Sequence, residues 1–436
     1  MYRKYAVTFL FSIFVIVSTL IFYILFIDGS IQGSDYSNYL QGANSIINYS
    51  VYSTQGDISV PDNFRPIGYS LILVIAKQID SIFFNEIIVI FQSVLLIFMY
   101  IMILKVFEVF SILSKKTILV SAMFFIHPMV ISTVTHVQVD LMLSFFILLF
   151  VLNLVFFIRK NDEKYLYYGV IFLGISLYFR PTFLYFIPIF FLLLSRYVSI
   201  KKITISIIII MIIIAPWSIR NKLALDSFSF SRLGDVVLTY FAADTLRHKL
   251  NLTSAEAHNI VWKKADIDAP YYLNNKNDEN KYNRMRDVSI EIIVNNFDYF
   301  ILSYARGLAR VFVMPHEIYS TKENTTIRVD DFIDKLKSNP KLLVSDLNAY
   351  FIYLYIFPYL LNIFILFGLI KLIIGFRFYL RGHRFIYYLF TLIVLYGLLI
   401  PGPINKPHYM LSYYSVLIIF VVFAYFAKDK GANSGC

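Results

Sequence analysis

The chain has 436 residues, 58% of them apolar and only 15% charged, with a formal net charge of +11. A soluble globular chain is about 45–50% apolar and about 25% charged, so this composition excludes an ordinary cytosolic enzyme and equally a disordered or collagen-like chain. The single cysteine, Cys436, excludes an internal disulfide. On so apolar a chain the positive surplus reports orientation in a membrane rather than nucleic-acid binding.

A helix needs roughly 20 apolar residues to cross the hydrocarbon. Residues 6–27 form the first such run; it is too long for a cleaved signal and no small-residue cleavage site follows, so it is expected to remain as a span. A polar loop, 28–85, comes next. In it Asp35 precedes Tyr36, Tyr39, Leu40, Ala43, Ile46 and Ile47, whose helical spacing predicts an amphipathic helix with Asp35 or Ser34 as a possible N-cap. Arg65-Pro66 then opens the segment 67–84, apolar but interrupted by Lys77, Gln78 and Asp80.

Spans follow at 86–104, 117–135 (holding His127-Pro128) and 138–158, the last opened by His136 and Asp140. Two short runs, 165–179 and 181–195, meet at Arg180-Pro181 and read as a tight helical hairpin. Residues 203–219 give a further span that ends at Pro216-Trp217, with Arg220 just beyond. The stretch 222–346 is polar, rich in charge of both signs and of domain size: a mostly helical soluble insert. Its apolar segment 297–314 carries Arg306 and Arg310. A mid-bilayer Arg costs several kcal/mol, so this segment is expected to be an interfacial amphipathic helix. Spans at 349–370, 385–402 and 409–427 complete the chain, with Lys406 and His408 ahead of the last.

Charge settles the doubtful segment. If 67–84 lies at the interface instead of crossing, the basic clusters Arg3/Lys4, Lys105/Lys115/Lys116, Arg159/Lys160/Lys164, Arg196/Lys201/Lys202, Lys371/Arg377/Arg381/Arg384 and Lys428/Lys430 all fall on one side. The expected protein is therefore an all-α polytopic membrane protein of ten spans with both termini cytoplasmic. Residues 1–221 form a transmembrane core, 222–346 the outer insert, and 347–436 the C-terminal spans.

On the outer face this topology leaves Arg65, Lys77, Arg180, Arg220 and Lys406, together with Asp35, Asp140, His127, His136 and His408. Each has an ordinary structural reading: a helix cap for Asp35 or Asp140, an interfacial anchor for each arginine, a packing residue for His127. Together they are what a site for an anionic lipid headgroup needs. No phosphate-binding glycine loop, dinucleotide fingerprint or metal-spaced His/Cys cluster is present in the sequence, so neither cofactor nor metal is expected.

The order of these motifs resembles that of the GT-C superfamily of integral membrane glycosyltransferases, especially the protein O-mannosyltransferase and lipid A aminoarabinose transferase-like group. The resemblance rests on Asp35-Tyr36 with Tyr39 and Ala43, on Arg65-Pro66-Ile67-Gly68-Tyr69-Ser70, and on the run Pro128 to Asp140. It continues through Gly169 and Gly174 to Arg180-Pro181, then Pro216-Trp217-Ser-Ile-Arg220-Asn221 and His408-Tyr409-Met-Leu. It covers the first half of the chain and the last spans, and the insert carries none of it. Relatives often show a paired acid where Tyr36 stands, prolines at positions 67 and 70, and an arginine at 408.

The resemblance implies a GT-C fold with juxtamembrane helices in the first outer loop. It further implies a sugar donor on a polyprenyl phosphate and transfer on the non-cytoplasmic side, with inversion, to a hydroxyl of a glycan, lipid or protein. By the same likeness Asp35 is the catalytic base and Asp140 a second catalytic carboxylate. Arg65, Arg180, Arg220, Lys406 and His408 would hold the donor phosphate, and Tyr36, Tyr39, Tyr69 and His136 would contact sugar or acceptor. A bacterial inner-membrane setting fits the richness in Ile, Asn, Lys, Tyr and Phe. A polysaccharide polymerase or ligase, and a transporter for lipid-linked sugars, are the alternatives. In a Cys436→Ser background, single cysteines at positions 35 and 222 are expected to react with a membrane-impermeant maleimide from one side, and a cysteine at position 160 from the other.

Overall fold

The structure is a computed structural model that describes residues 2–26, 35–54, 57–267, 279–313, 317–320, 325–328, 356–374, 384–404 and 407–426. The helical expectation holds throughout these residues. The exception is one antiparallel hairpin of four-residue strands, β1 (Glu317–Ser320) and β2 (Thr325–Arg328), in register Glu317 to Arg328.

Helix α1 (Tyr2–Phe26) is followed by α2 (Tyr36–Tyr49), α3 (Gly68–Ile79), α4 (Phe84–Val109), α5 (Lys115–Phe125), α6 (Pro128–Val134) and α7 (Asp140–Lys160). Four stretches among the described residues are long and apolar enough to cross a membrane: Phe84–Val109, Asp140–Lys160, Ile200–Leu225 and Tyr409–Phe426. The expected span 117–135 is α5 and α6, bent by 59° at their junction, which makes a fifth if the pair is one broken span. Pro128 explains the break, since it lacks an N–H and its ring excludes the carbonyl four residues back. His127 turns the break into a new helix start, its Nδ1 accepting the Met129 N–H at 3.1 Å.

The two runs meeting at Arg180-Pro181 form α8 (Glu163–Ser176), a 3-10 turn at Pro181–Leu184 and α9 (Phe186–Leu194). At 1.5 Å per residue these helices are only about 21 and 14 Å long, against about 30 Å of hydrocarbon. Helix α10 (Ile200–Leu225) runs through Pro216 and past the expected end of its span. After the insert come α15 (Phe357–Ile374), α16 (Arg384–Leu399), 3-10 turns at Gly402–Ile404 and Pro407–Tyr413, and α17 (Tyr414–Phe426). The start of the expected span 349–370 lies outside the described residues. At the centre of the assembly α7, 72% buried over its most apolar window, packs against α4, α8 and α17.

Helix α3, the segment that charge counting kept out of the bilayer, has 12 residues. That is about 18 Å, too short to cross. It packs on α2 and α4, and its Gly68 N–H donates to the Tyr178 carbonyl at 2.8 Å. Between α2 and α3 the loop is cross-linked by its own polar groups. The buried Asp62 accepts from Thr54 N–H at 2.5 Å and from Phe64 N–H at 3.1 Å, and the Tyr52 hydroxyl donates to the Pro66 carbonyl at 2.9 Å.

The insert contributes α11 (Leu233–Leu250), α12 (Ser254–Lys264), α13 (Glu279–Asn295) and α14 (Phe297–Val313). Thr253 and Glu256 form a capping box that starts α12. Two small cores hold α11, α12 and α13, and one of them takes in Phe64 from the loop before α3 beside Val236, Tyr282 and Met285, while Val311 of α14 belongs to the main core. Helix α14, expected to be interfacial and amphipathic, buries one face on α11 and on the turn at Gly402–Ile404 while Phe297, Ile301 and Leu302 stay exposed.

Contact between α14 and that turn is backbone to backbone. A Cβ at Gly307 would meet the Gly402 carbonyl and stand 3.0 Å from the Pro403 carbonyl oxygen. Helix propensity favours Ala over Gly by about 1 kcal/mol, whereas forcing a side chain into a packed contact costs about 1–3 kcal/mol. Gly307→Ala is therefore expected to lower the melting temperature in detergent, measured by fluorescence-monitored unfolding, despite the better helix former.

Candidate active site

A cavity of about 1020 Å³ opens between the segment from Asp35 to Arg65, the N-terminal end of α7, the Arg180 turn, the segment before α17 and the insert. Asp35, Arg65, Asp140 and Arg180 all line it, although they come from four separate stretches of chain.

Asp35 occupies the N-cap position of α2, yet its side chain makes no capping bond. It turns to Arg65, whose Nη1 and Nη2 donate to its two oxygens at 3.0 and 2.8 Å. The same guanidinium donates through Nε to Asn38 at 3.2 Å and lies 5.3 Å from the Tyr39 ring centroid. A bidentate fork of this kind fixes the carboxylate in angle as well as distance. Burial works against the charge on Arg65, but Asp35 and Tyr39 beside it hold the guanidinium above its ordinary range, while Arg180 pulls the other way. The two cation centres are thus near enough to feel each other. Asp35 stays 23% exposed at its side chain and remains open to the cavity.

The second pair is more enclosed. Asp140 is the first residue of α7, where a carboxylate also complements the helix dipole. Arg180 Nη1 donates to its Oδ1, and Ser412 Oγ donates to the same oxygen at 3.1 Å. The Arg180 guanidinium lies 5.0 Å from the Tyr409 ring centroid. With Asp140 only 6% exposed at its side chain, it acts as the holder of Arg180 and Ser412. Arg180 meets Asp140 through one Nη, and an arginine has five N–H donors.

Other expected site residues fall elsewhere. Arg220 does not line the cavity: it donates to the Asp62 carbonyl at 2.6 Å and the Tyr52 carbonyl at 3.0 Å, pinning the loop between α2 and α3 to the end of α10. Tyr39 and Tyr69 are fully buried against each other, ring centroids 5.2 Å apart, and Tyr69 donates to Gln92 at 2.8 Å. Burial pushes the Tyr39 phenol up to about 12, which removes it as a base near neutrality. Tyr36 is half-buried against the main core. His136 is fully buried, with its Nδ1 2.6 Å from the Ser132 carbonyl. None of these four side chains reaches the cavity wall, because each is taken up by packing. Lys77 donates to Asn44 at 2.7 Å on the α2–α3 contact. Lys406 and the side chain of His408 lie outside the described residues.

The cavity also has lining residues that sequence reasoning did not select: Asn38, Gln138, Tyr409 and Ser412 from the core, and Asp244, Arg247, His258 and Arg310 from the insert. Tyr409 belongs to the His408-Tyr409-Met-Leu motif. The insert residues carried no signal, being charges on polar helices.

Residues 65–219 match the family model described as dolichyl-phosphate-mannose-protein mannosyltransferase. A search of the curated proteins returns no match. Among solved structures, ArnT from Cupriavidus metallidurans bound to undecaprenyl phosphate is similar at 10% identity and a TM-score of 0.41, covering 95% of this chain and 76% of that one. Its apo state gives 10% identity, a TM-score of 0.40, and 95% and 77% coverage. The family match takes in the motifs from Arg65-Pro66 to Pro216-Trp217, the stretch on which the sequence resemblance chiefly rests.

Arg220→Ala is expected to lower the melting temperature by several degrees, since hydrogen bonds to a charged group contribute about 1.5–3 kcal/mol. Lys222→Ala, which breaks the exposed Lys222–Asp226 pair, is expected to leave it within a degree. Parallel thermal unfolding of the two variants checks the contrast.

Proposed function

We propose that this protein is an inverting glycosyltransferase that takes a sugar from a polyprenyl-phosphate-linked donor and passes it to an acceptor hydroxyl on the non-cytoplasmic side of a bacterial plasma membrane. The observation that carries the proposal is a single cavity whose core wall holds a partly open, arginine-oriented carboxylate beside a second arginine. The name of the family matching residues 65–219 supplies the donor type, a sugar on a polyprenyl phosphate. The one-sided basic clusters supply the orientation.

In this reading Asp35 is the general base. The fork from Arg65 keeps it aimed, and a carboxylate has about four lone-pair sites, so the pairing does not exhaust its capacity to accept a proton. The acceptor oxygen attacks the anomeric carbon as its proton passes to Asp35. The bond from that carbon to the phosphate oxygen breaks, and the phosphate leaves with the electron pair. Displacement from the face opposite the phosphate inverts the anomeric centre.

Charge builds on the departing phosphate, and Arg180 is placed to meet it, with Arg65 as the second cation. Asp140 and Ser412 fix Arg180 in advance, so little reorganisation is needed when the charge develops. Arg220 has no part in this scheme, since it is engaged with loop carbonyls outside the cavity.

Removing a general base typically costs about 10²–10⁴ in rate. Asp35→Asn is therefore expected to reduce kcat by that range in folded, purified protein supplied with polyprenyl-phosphate sugar. Near-normal turnover by this variant would overturn the assignment. Arg180→Lys keeps one charge but loses the planar fork. It is expected to raise the donor KM at least tenfold, read from initial rates over a donor series.

A further inference from the structure

Part of the same cavity's lining comes from the insert, and its polar groups are arranged differently. Asp244 and Arg247, one turn apart on α11, are paired through Arg247 Nη2 and Asp244 Oδ1 at 2.7 Å. The other carboxylate oxygen, Asp244 Oδ2, is buried and has no hydrogen-bond partner among the described residues; its neighbour His248 Nε2 stands 3.6 Å away. On α12, His258 places its Nδ1 2.7 Å from the Ser254 carbonyl. A carbonyl only accepts, so Nδ1 carries the hydrogen, and in the neutral ring Nε2 is left as an acceptor. Burial holds His258 below its ordinary range, in favour of that neutral form. His258 Nε2 is likewise buried without a partner among the described residues. Arg310 of α14 completes the wall, and no carboxylate pairs with it among the described residues.

Two buried acceptors next to two guanidinium donors is a costly arrangement for an empty wall, because each unsatisfied buried group costs about 1–3 kcal/mol. A bound phosphate or carboxylate would satisfy the arginines but bring more acceptors to Asp244 Oδ2 and His258 Nε2. A hydrocarbon tail would satisfy neither. A sugar hydroxyl is both donor and acceptor, so neighbouring hydroxyls can donate to the carboxylate and imidazole while accepting from the arginines. Tyr240, also on the wall and 4.8 Å ring to ring from His258, offers the apolar face that the C–H side of a pyranose covers.

We propose that the insert wall, Asp244, Arg247, His258 and Arg310, is a hydroxyl-binding subsite for a saccharide acceptor, which makes a glycan the acceptor class of this protein. This inference rests on the glycosyltransferase reading for its word "acceptor"; the binding of saccharide hydroxyls at the wall stands on the geometry alone. The core lining already supplies arginines for the donor phosphate, and the insert supplies the remaining charged residues of the cavity for a second substrate.

The chain has two tryptophans, and the Trp262 ring lies 5.6 Å from that of His258. In full-length Trp217→Phe protein in detergent, Trp262 is therefore a sole reporter beside the proposed subsite. The expected result is a saturable change in its emission with one or more members of a panel of methyl glycosides, disaccharides and acid-hydrolysed cell-envelope polysaccharide. Cyclohexanol and inorganic phosphate are expected to give none. Adding His258→Phe, which keeps the ring but removes Nε2, is expected to raise the dissociation constant at least tenfold with an unchanged melting temperature. Asp244→Asn provides a second reading should that variant unfold.

Absence of saturable binding by every saccharide, or equal binding in both variants, overturns the proposal. Competitive displacement of the saccharide by polyprenyl-phosphate mannose also overturns it, because the hydroxyls bound would then be the donor's. Saccharide binding alongside an active Asp35→Asn enzyme would instead refute the catalytic reading and leave the subsite standing.

Discussion

Charge near a bilayer must be paired, and two carboxylate–arginine pairs organise the heart of this molecule. Asp35 with Arg65 and Asp140 with Arg180 bring together residues 30 and 40 positions apart in the chain. Moving an ion out of water costs several kcal/mol even after relaxation, and only close, well-oriented partners recover it. Losing one partner of such a pair costs about 3–5 kcal/mol because the other charge is stranded. The pairs therefore tie α2, the loop before α3, the start of α7 and the turn after α8 to one another. The same requirement leaves an oriented carboxylate and two fixed guanidinium groups at the cavity.

Three arginines divide by what their donors meet. Arg65 and Arg180 face carboxylates and the cavity, whereas Arg220 spends its donors on two backbone carbonyls of the loop between α2 and α3. That contact is structural in a definite sense. A loop this irregular next to apolar helices exposes carbonyls that need partners, and a guanidinium covers two at once. Asp62 performs the complementary task for the N–H groups of Thr54 and Phe64. The loop carrying Arg65 is thereby held rigid without contributing further groups to the cavity.

The insert changes the character of the site. The core lining holds two arginines, each fixed by a carboxylate, while the insert lining mixes a carboxylate, an imidazole that burial favours in its neutral form and guanidinium groups with an aromatic ring. The two walls differ in chemistry because they answer different constraints. The core wall sits among apolar helices and pairs its charges tightly, and the insert is a polar bundle able to keep acceptors and donors side by side.

Much of the molecule follows from its sequence alone. Composition and the long apolar runs dictate a helical membrane protein, since a backbone in hydrocarbon must satisfy its own hydrogen bonds. The charges within 67–84 and the one-sided basic clusters already mark α3 as a helix that does not cross, and its length agrees. Asp35, Arg65, Asp140 and Arg180 are legible as charges too costly to be incidental. Side-chain direction is not legible in this way. Whether Asp35 caps α2 or meets Arg65, whether Arg220 faces a cavity or a carbonyl, and whether Tyr39, Tyr69 and His136 line a site or fill a core depend on partners dozens of residues away. The part of Asp244, Arg247, His258 and Arg310 is invisible for the same reason, because charged residues on a polar helix look alike until packing buries one face. Local pattern fixes the elements; only tertiary packing, which decides what each polar atom meets out of water, fixes the site.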